Sequence, residues 1–277
     1  MKLFVTSPTT GLVDIHYLRS IFLLQAECHK RKCHIQLHLH KASLVTFGRN
    51  HCTSSFLSTD YTHMVFIDTD IEFNPADIFR MIEADKEVIL IPYPLKSYDW
   101  RKADEMWNNY KMPLNKGGFT WPIKVLNPED MVVDNGIVEI EKGPAGCMVI
   151  KRSAFERLIN YYPKLKLNQK NLIDEKVKSS EFSYNFWDTA YDESEGKVVG
   201  EDFAFCNRFR TAGGNVFALI DAEITHHGSA PFKARFIDEF TKIEESVLNT
   251  YLKQEQFIYG SNYSVDFDIW GYQRTTR

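Results

Sequence analysis

Met64-Val65-Phe66-Ile67 runs without a polar interruption into Asp68-Thr69-Asp70, and the chain turns apolar again at Ile71 and Phe73. A run this short and apolar, bounded by polar residues, reads as a buried strand of a parallel sheet. Open α/β sheets bind ligands beyond the carboxyl ends of such strands. The pattern therefore predicts that Asp68 and Asp70 emerge where a ligand sits. Carboxylates at i and i+2 are hard oxygen donors, suited to Mg²⁺ or Mn²⁺ carrying a diphosphate. An aspartate at a strand end is also a common turn former or helix cap. Asn74-Pro75-Ala76-Asp77 has the form of a cap with Pro at the first helical position, which accounts for Asn74 and leaves the acidic pair unexplained.

The flanking chain repeats a strand–helix rhythm. Lys2 to Thr6 reads as a first strand, ending in the hydroxyl-rich loop Ser7-Pro8-Thr9-Thr10-Gly11, which suits either a nucleotide site or a cap for the next helix. Leu12 to Lys32 has helical spacing. Cys33 to His40 alternates, with Ile35, Leu37 and Leu39 predicted on the buried face and His34, His38 and His40 on the solvated one. Gly48-Arg49-Asn50 is expected just ahead of a helix ending near Ser58. An Arg there either is solvated, binds a diphosphate, or orients the acidic pair. Pro75 to Ala84 reads as a helix and Glu87 to Ile91 as a strand, opening into Pro92 to Trp100, where Lys96, Tyr98, Asp99 and Trp100 are candidate ligand contacts.

Beyond Arg101 the periodicity dissolves until Asp134, which predicts a functional loop or lid. Asn135-Gly136 is a turn signal. Gly143-Pro144-Ala145-Gly146 feeds a strand through Ile150, with a helix from Ala154 to Tyr161. Pro163 to Lys197 reads as a second loop. Val199 to Phe209 opens a helix whose acidic start, Glu201-Asp202, suits the helix dipole as well as catalysis. A strand from Val216 to Ile220 precedes the polar cluster Thr225-His226-His227-Gly228, and Phe236 to Lys253 reads as an amphipathic helix.

Composition narrows the partners. A net charge of −4 over 277 residues, with no long basic run, gives no nucleic-acid signature. The five cysteines are scattered, without a C-x-x-C, which fits a reducing compartment better than a disulfide framework or a zinc knuckle. The start Met1-Lys2-Leu3-Phe4-Val5 reads as strand rather than signal peptide, and no run of 18 apolar residues occurs, so no membrane span is expected.

Taken in order, the hydroxyl loop, Arg49-Asn50, Phe66-Ile67-Asp68-Thr69-Asp70, Gly143 to Gly146, Gly200-Glu201-Asp202-Phe203 and His226-His227-Gly228 resemble the GT-A class of nucleotide-sugar glycosyltransferases, over roughly Lys2 to Gly228. The resemblance implies an α/β fold with a Rossmann-like mixed sheet flanked by helices. It implies one catalytic domain over residues 1–232 with long active-site loops, and a C-terminal helix and tail over 233–277. It implies Mn²⁺ or Mg²⁺ as cofactor, a UDP- or GDP-sugar donor and a glycan or other hydroxyl acceptor. Asp70 and His226, with His227 as the fallback, would ligate the metal, and Asp68 would touch the donor ribose or the metal through water. Asp202, beside Glu201, would be the general base. Thr6, Ser7, Pro8 and Thr69 would line the nucleotide pocket, with Arg49 on the diphosphate side. Gly146, Lys96 and Trp100 would shape the acceptor side. The lack of an anchor implies a soluble bacterial or viral form, in the cytoplasm or a host's cytoplasm. Two other classes stay open. A sugar nucleotidyltransferase would carry a Gly-rich basic loop after the first strand, where this chain has no Lys or Arg. A non-catalytic carbohydrate-binding protein would use its tryptophans, with the acidic pair structural.

Overall fold

The computed structural model describes residues 1–127, 131–167, 181–193, 196–240, 265–267 and 273–275. In chain order the elements are β1 (Lys2–Thr9), α1 (Ile15–Lys30), β2 (His34–Lys41), α2 (Val45–Leu57), β3 (His63–Ile67), β4 (Ile71–Glu72), α3 (Pro75–Glu83) and β5 (Val88–Leu90). They continue with α4 (Trp100–Tyr110), α5 (Leu114–Gly117), β6 (Lys124–Val125), β7 (Ile137–Lys142), β8 (Cys147–Lys151), α6 (Arg152–Tyr161), β9 (Ala190–Asp192), β10 (Lys197–Val199) and α7 (Glu201–Thr211). The last are β11 (Val216–Leu219), β12 (Ile224–His227), β13 (Pro231–Ala234), β14 (Val265–Phe267) and β15 (Gln273–Thr275). The architecture is mixed α/β, a large mixed sheet flanked by helices, as expected.

The main sheet has eight strands in the order β2-β1-β3-β8-β5-β11-β7-β6. β1 runs parallel to β2 and β3, and β5 runs parallel to β11. β8 lies between β3 and β5, antiparallel to both. The carboxyl ends of β1, β2, β3, β5 and β11 therefore share one edge, and the glycine turn that starts β8 enters at that same edge.

Successive residues of a strand point to opposite faces. Met64, Phe66, Val88, Leu90, Met148 and Ile150 join one core with Phe56 of α2, Phe155 of α6 and Phe205 of α7. Val65, Ile67, Ile89, Cys147 and Val149 join a second core with Tyr17, Ile21 and Leu24 of α1 and Ile78 and Phe79 of α3. Covering both faces explains why the central strands read as unbroken apolar runs.

A separate three-stranded sheet, β13-β12-β4, is antiparallel. Its pairings His226↔Ile71 and Thr225↔Glu72 stitch the histidine cluster to the residues just after the acidic pair.

By internal contacts, Met1–Tyr98 with Phe119–Glu239 form one compact unit, and Asp99–Gly118 with Phe240–Arg277 another. In the second unit Asp99 caps α4 through its side chain, which accepts from the backbone N–H groups of Arg101 and Lys102. Gly117 of α5 sits so close to Met106 that an added Cβ would lie 2.8 Å from its Cβ.

Several expectations need correction. The stretch predicted to be a lid from Arg101 to Asp134 contains α4 and α5. Trp100, Ala103, Met106, Trp107 and Tyr110 recur at helical spacing along α4, a stripe that the expectation of an irregular loop passes over. The loop expected over Pro163–Lys197 sends Phe186 and Trp187 into the first core and forms the β9–β10 hairpin, while 168–180 and 194–195 lie outside the described residues. On β2 the expectation holds at the start, where His34 is exposed and Ile35 packs against the second core, and is reversed beyond it: Leu37 and Leu39 are exposed and His38 and His40 half-buried, because α2 covers the histidine side of this edge strand. Phe236–Phe240 is a 3₁₀ turn, and the rest of the helix expected through Lys253 lies outside the described residues. Asn135 and Gly136 both have positive φ, the signature of the tight hairpin turn expected there. Among the described residues no helix is long and apolar enough to cross a membrane.

Candidate functional site

The carboxyl edge of the sheet gathers the acidic and imidazole groups. Arg49 organises them. It lies inside α2, not ahead of it, because the helix begins at Val45, six residues before His51, where Gly48-Arg49-Asn50 suggests a start. Gly48 sits within the helix because Pro8 and Ala42 press on it: an added Cβ would lie 2.9 Å from Pro8 Cβ and 3.2 Å from Ala42 Cβ.

The Arg49 side chain is 4% exposed. Its Nη2 donates to both Asp68 oxygens, at 3.1 and 3.2 Å, and its Nε donates to Glu201 Oε1 at 3.2 Å. The guanidinium also lies over the rings of Phe66 and Trp187, at 5.2 and 5.7 Å. Nη1 is buried with no hydrogen-bond partner. Burial opposes the Arg49 charge, but Asp68 and Glu201 hold its pKa above the ordinary value. Of the three roles open in the sequence, solvation is excluded and orientation of the carboxylates is observed.

Asp68 and Asp70 have different surroundings. Burial pushes the Asp68 carboxyl up, with Arg49 pulling against it. Burial works on Asp70 too, but hydrogen bonding to His226 and Lys96 outweighs it and takes the pKa down to about 2. Asp70 Oδ2 accepts from the Lys96 ammonium and lies 3.7 Å from His226 Nε2. His226 Nδ1 is 2.9 Å from the Pro94 carbonyl. A carbonyl only accepts, so Nδ1 carries a proton, and Nε2 is the ring nitrogen that faces Asp70. The next residue points the other way, as strand alternation requires: His227 Nε2 is 2.9 Å from Glu72 Oε2, and its ring stacks on His16 at 4.3 Å.

Asp202 stands in the first turn of α7, after Glu201. Burial first, and then the Glu201 charge, raise its pKa to about 6, against the pull of the Phe203 N–H and Arg49. Glu201 is tied to Arg49, while Asp202 Oδ1 accepts from the Phe203 N–H at 2.8 Å.

The remaining predicted residues fall as follows. Thr6 and Ser7 are fully buried, with Thr6 Oγ1 donating to the His38 carbonyl and Ser7 Oγ 2.7 Å from Tyr17 Oη. Pro8 packs under Gly48. The Thr69 carbonyl accepts from the Asp14 N–H, and Asp14, rather than a hydroxyl of the Ser7–Gly11 loop, caps α1. Lys96 is on Asp70, and Trp100 opens α4 in the other unit, 65% exposed.

Gly146 is set by contact rather than by φ. Its carbonyl accepts from the Asp68 N–H at 2.9 Å, and an added Cβ would lie 2.7 Å from Asp68 Oδ2 and 2.5 Å from Tyr93 Oη. Tyr93 was not singled out from the sequence. It is buried, meets His226 edge-on at 4.9 Å, and has its phenol pKa raised by burial and by Asp68. Its one local signal is its place between Pro92 and Pro94 directly after a buried strand. Gly146→Ala is expected to cost about 1–3 kcal/mol of stability, as overpacking does, and to displace Asp68 from Arg49. Chemical denaturation measures the first effect, and an unchanged midpoint would show that the turn yields freely.

No known family matches the sequence, and no curated protein does. Among solved structures, A197 from STIV matches with 16% identity and a TM-score of 0.44, over 82% of this chain and 86% of that one. A glycosyltransferase involved in the glycosylation of the major capsid of PBCV-1 matches with 12% identity and a TM-score of 0.29, over 63% of this chain and 71% of that one.

Proposed function

We propose that the chain is a metal-dependent glycosyltransferase, moving a sugar from a nucleoside-diphosphate donor to an acceptor hydroxyl with inversion. One observation carries the reading. The β4–β12 pairing sets Nε2 of His226 3.7 Å from the ionised Asp70, at the sheet edge where Asp68, Arg49 and Asp202 converge. A carboxylate oxygen with an imidazole nitrogen anchored from behind by a carbonyl is a donor set that fits a divalent ion, and the imidazole favours Mn²⁺ over Mg²⁺. Asp70 and His226 would hold that ion. When bound, it supplies charge stabilisation to the departing diphosphate.

The chain's own groups do the rest. Lys96 adds positive charge beside Asp70, where the diphosphate oxygens would lie. Arg49 fixes Asp68 and Glu201. The Asp202 carboxylate takes the acceptor hydroxyl proton as the acceptor oxygen bonds to the anomeric carbon, and the carbon–oxygen bond to the diphosphate breaks with its electron pair going to the phosphate oxygen. Attack opposite the leaving group inverts the configuration. Trp187 is fully buried in the core and offers no platform for a sugar, whereas Trp100 is exposed.

The test is a thermal-shift panel of nucleoside diphosphates with and without Mn²⁺. A matching nucleotide at about 100 times its Kd adds about 2.7 kcal/mol, which is roughly 5–10 °C for a chain of this size. The shift is expected only with Mn²⁺ and is lost in Asp70→Asn. A nucleotide shift independent of both Mn²⁺ and Asp70 would overturn the reading.

A further inference from the structure

A second cluster of ligating side chains lies on α2 and the edge strand, apart from the acidic groups. His38 and His40 are two residues apart on β2, so the pleat sets both on one face. α2 covers that face and contributes His51, two residues after Arg49. One ring nitrogen from each of the three lies within 4.8 Å of the others, and all three side chains are half-buried. The His40 and His51 rings stack at 3.7 Å with an interplanar angle of 10°, and His38 is 6.0 Å from His51.

Thr6 Oγ1 donates to the His38 carbonyl at 3.1 Å and lies 3.3 Å from His38 Nδ1. With its proton so used, the hydroxyl accepts from Nδ1–H, which leaves His38 Nε2 as the donor atom. This is the outer-sphere arrangement that orients metal-binding histidines. Stacked rings hold their lone pairs side by side, so capture of an ion turns His40 or His51 about its Cβ–Cγ bond. The exposed end of β2 gives His40 room to do so.

We propose that His38, His40 and His51 form a binding site for one divalent transition ion of the nitrogen-preferring class, such as Zn²⁺ or Co²⁺, with a water completing its coordination. No carboxylate belongs to the set, which separates it in preference from an oxygen-rich site for Mn²⁺ or Mg²⁺. Its mechanical effect is a clip between α2 and β2. Because α2 also carries Arg49, the clip steadies the helix that holds Asp68 and Glu201.

The experiment titrates the metal-stripped full chain with Co²⁺ alone and reads its visible d–d absorption. The background is Asp70→Asn, which disables the proposed Mn²⁺ site, with His16→Gln present throughout to disable the separate Asp14, His16 and His227 group. One equivalent of Co²⁺ is expected to bind in Asp70→Asn. Adding His51→Gln, or separately His40→Gln on the edge strand, is expected to abolish stoichiometric binding while far-UV circular dichroism stays unchanged. Zn²⁺ is expected to displace the Co²⁺ signal, and Mn²⁺ is not. The proposal is overturned if Asp70→Asn takes up no cobalt, or if the signal survives in either histidine variant. Failure here leaves the Mn²⁺-dependent nucleotide shift untouched, so the two readings stand or fall separately.

Discussion

Asp202→Asn is expected to lower sugar transfer by about 10²-fold or more while leaving nucleotide-dependent thermal shifts intact. The amide keeps the shape of the carboxylate and its acceptor for the Phe203 N–H, but it cannot take a proton. Initial rates and donor affinity, measured on the same preparations, separate the two effects, and an unchanged rate would remove Asp202 from the base role. The wild-type rate has a matching pH dependence. The carboxylate is the active form and its pKa is raised to about 6, so the rate should fall below pH 6 with the uptake of one proton. Stability moves in the opposite sense. The folded pKa lies above the unfolded one, so the protonated form favours the folded state, and that advantage is lost as pH rises through 6. At pH 8 the buried charge works against folding, and Asp202→Asn should gain stability on the order of 2 kcal/mol. At pH 4 the gain should largely vanish. A variant less stable than wild type at pH 8 would contradict the burial argument.

Arg49→Met is expected to destabilise the protein by about 3–5 kcal/mol, the usual consequence of removing one partner from a buried ion pair. The methionine fills much of the space over Phe66 and Trp187, so the effect isolates the charge. Two carboxylates, Asp68 and Glu201, lose their common cation, and Asp68, already pushed up by burial, should take up its proton at higher pH than before. The loss should therefore be largest at alkaline pH and shrink as the pH falls toward 4. Urea denaturation at pH 5 and pH 8 measures it. A similar, small loss at both would mean that the guanidinium acts as packing.

Most of the central architecture was legible because it rests on local signals. Met64–Ile67, Val88–Leu90 and Val216–Leu219 announce themselves as buried strands by composition, α3 by Asn74 and Pro75, and α7 by its acidic first turn and Gly213. The acidic pair was legible for the same reason. What stayed hidden depends on partners far along the chain. Nothing near Gly48 in the sequence shows that Pro8 and Ala42 will press on it, so a glycine inside α2 looks like a helix boundary. Arg49 meets Glu201 across 152 residues, and no local pattern reports that pairing. The alternation on β2 was read with correct period, and with correct sense at His34 and Ile35, but with inverted sense from Leu37 on, because a helix covers His38 and His40. Tyr93 is fixed by the approach of Gly146, which contributes no side chain to notice.

The reversed direction of β8 has a consequence for how the chain assembles. β3 and β5 each bond to β8 and not to each other. Of the main-sheet strands in the first ninety residues, β2, β1 and β3 therefore form a ribbon and β5 stands alone, separated from it by an empty lane until residues 147–151 arrive. Closing that lane joins positions about sixty to ninety residues apart, a long-range event of the kind that slows folding. During synthesis, strand edges of β3 and β5 rich in valine, isoleucine and leucine stay open until Lys151 has left the ribosome, and that is the interval in which misassociation threatens this chain most.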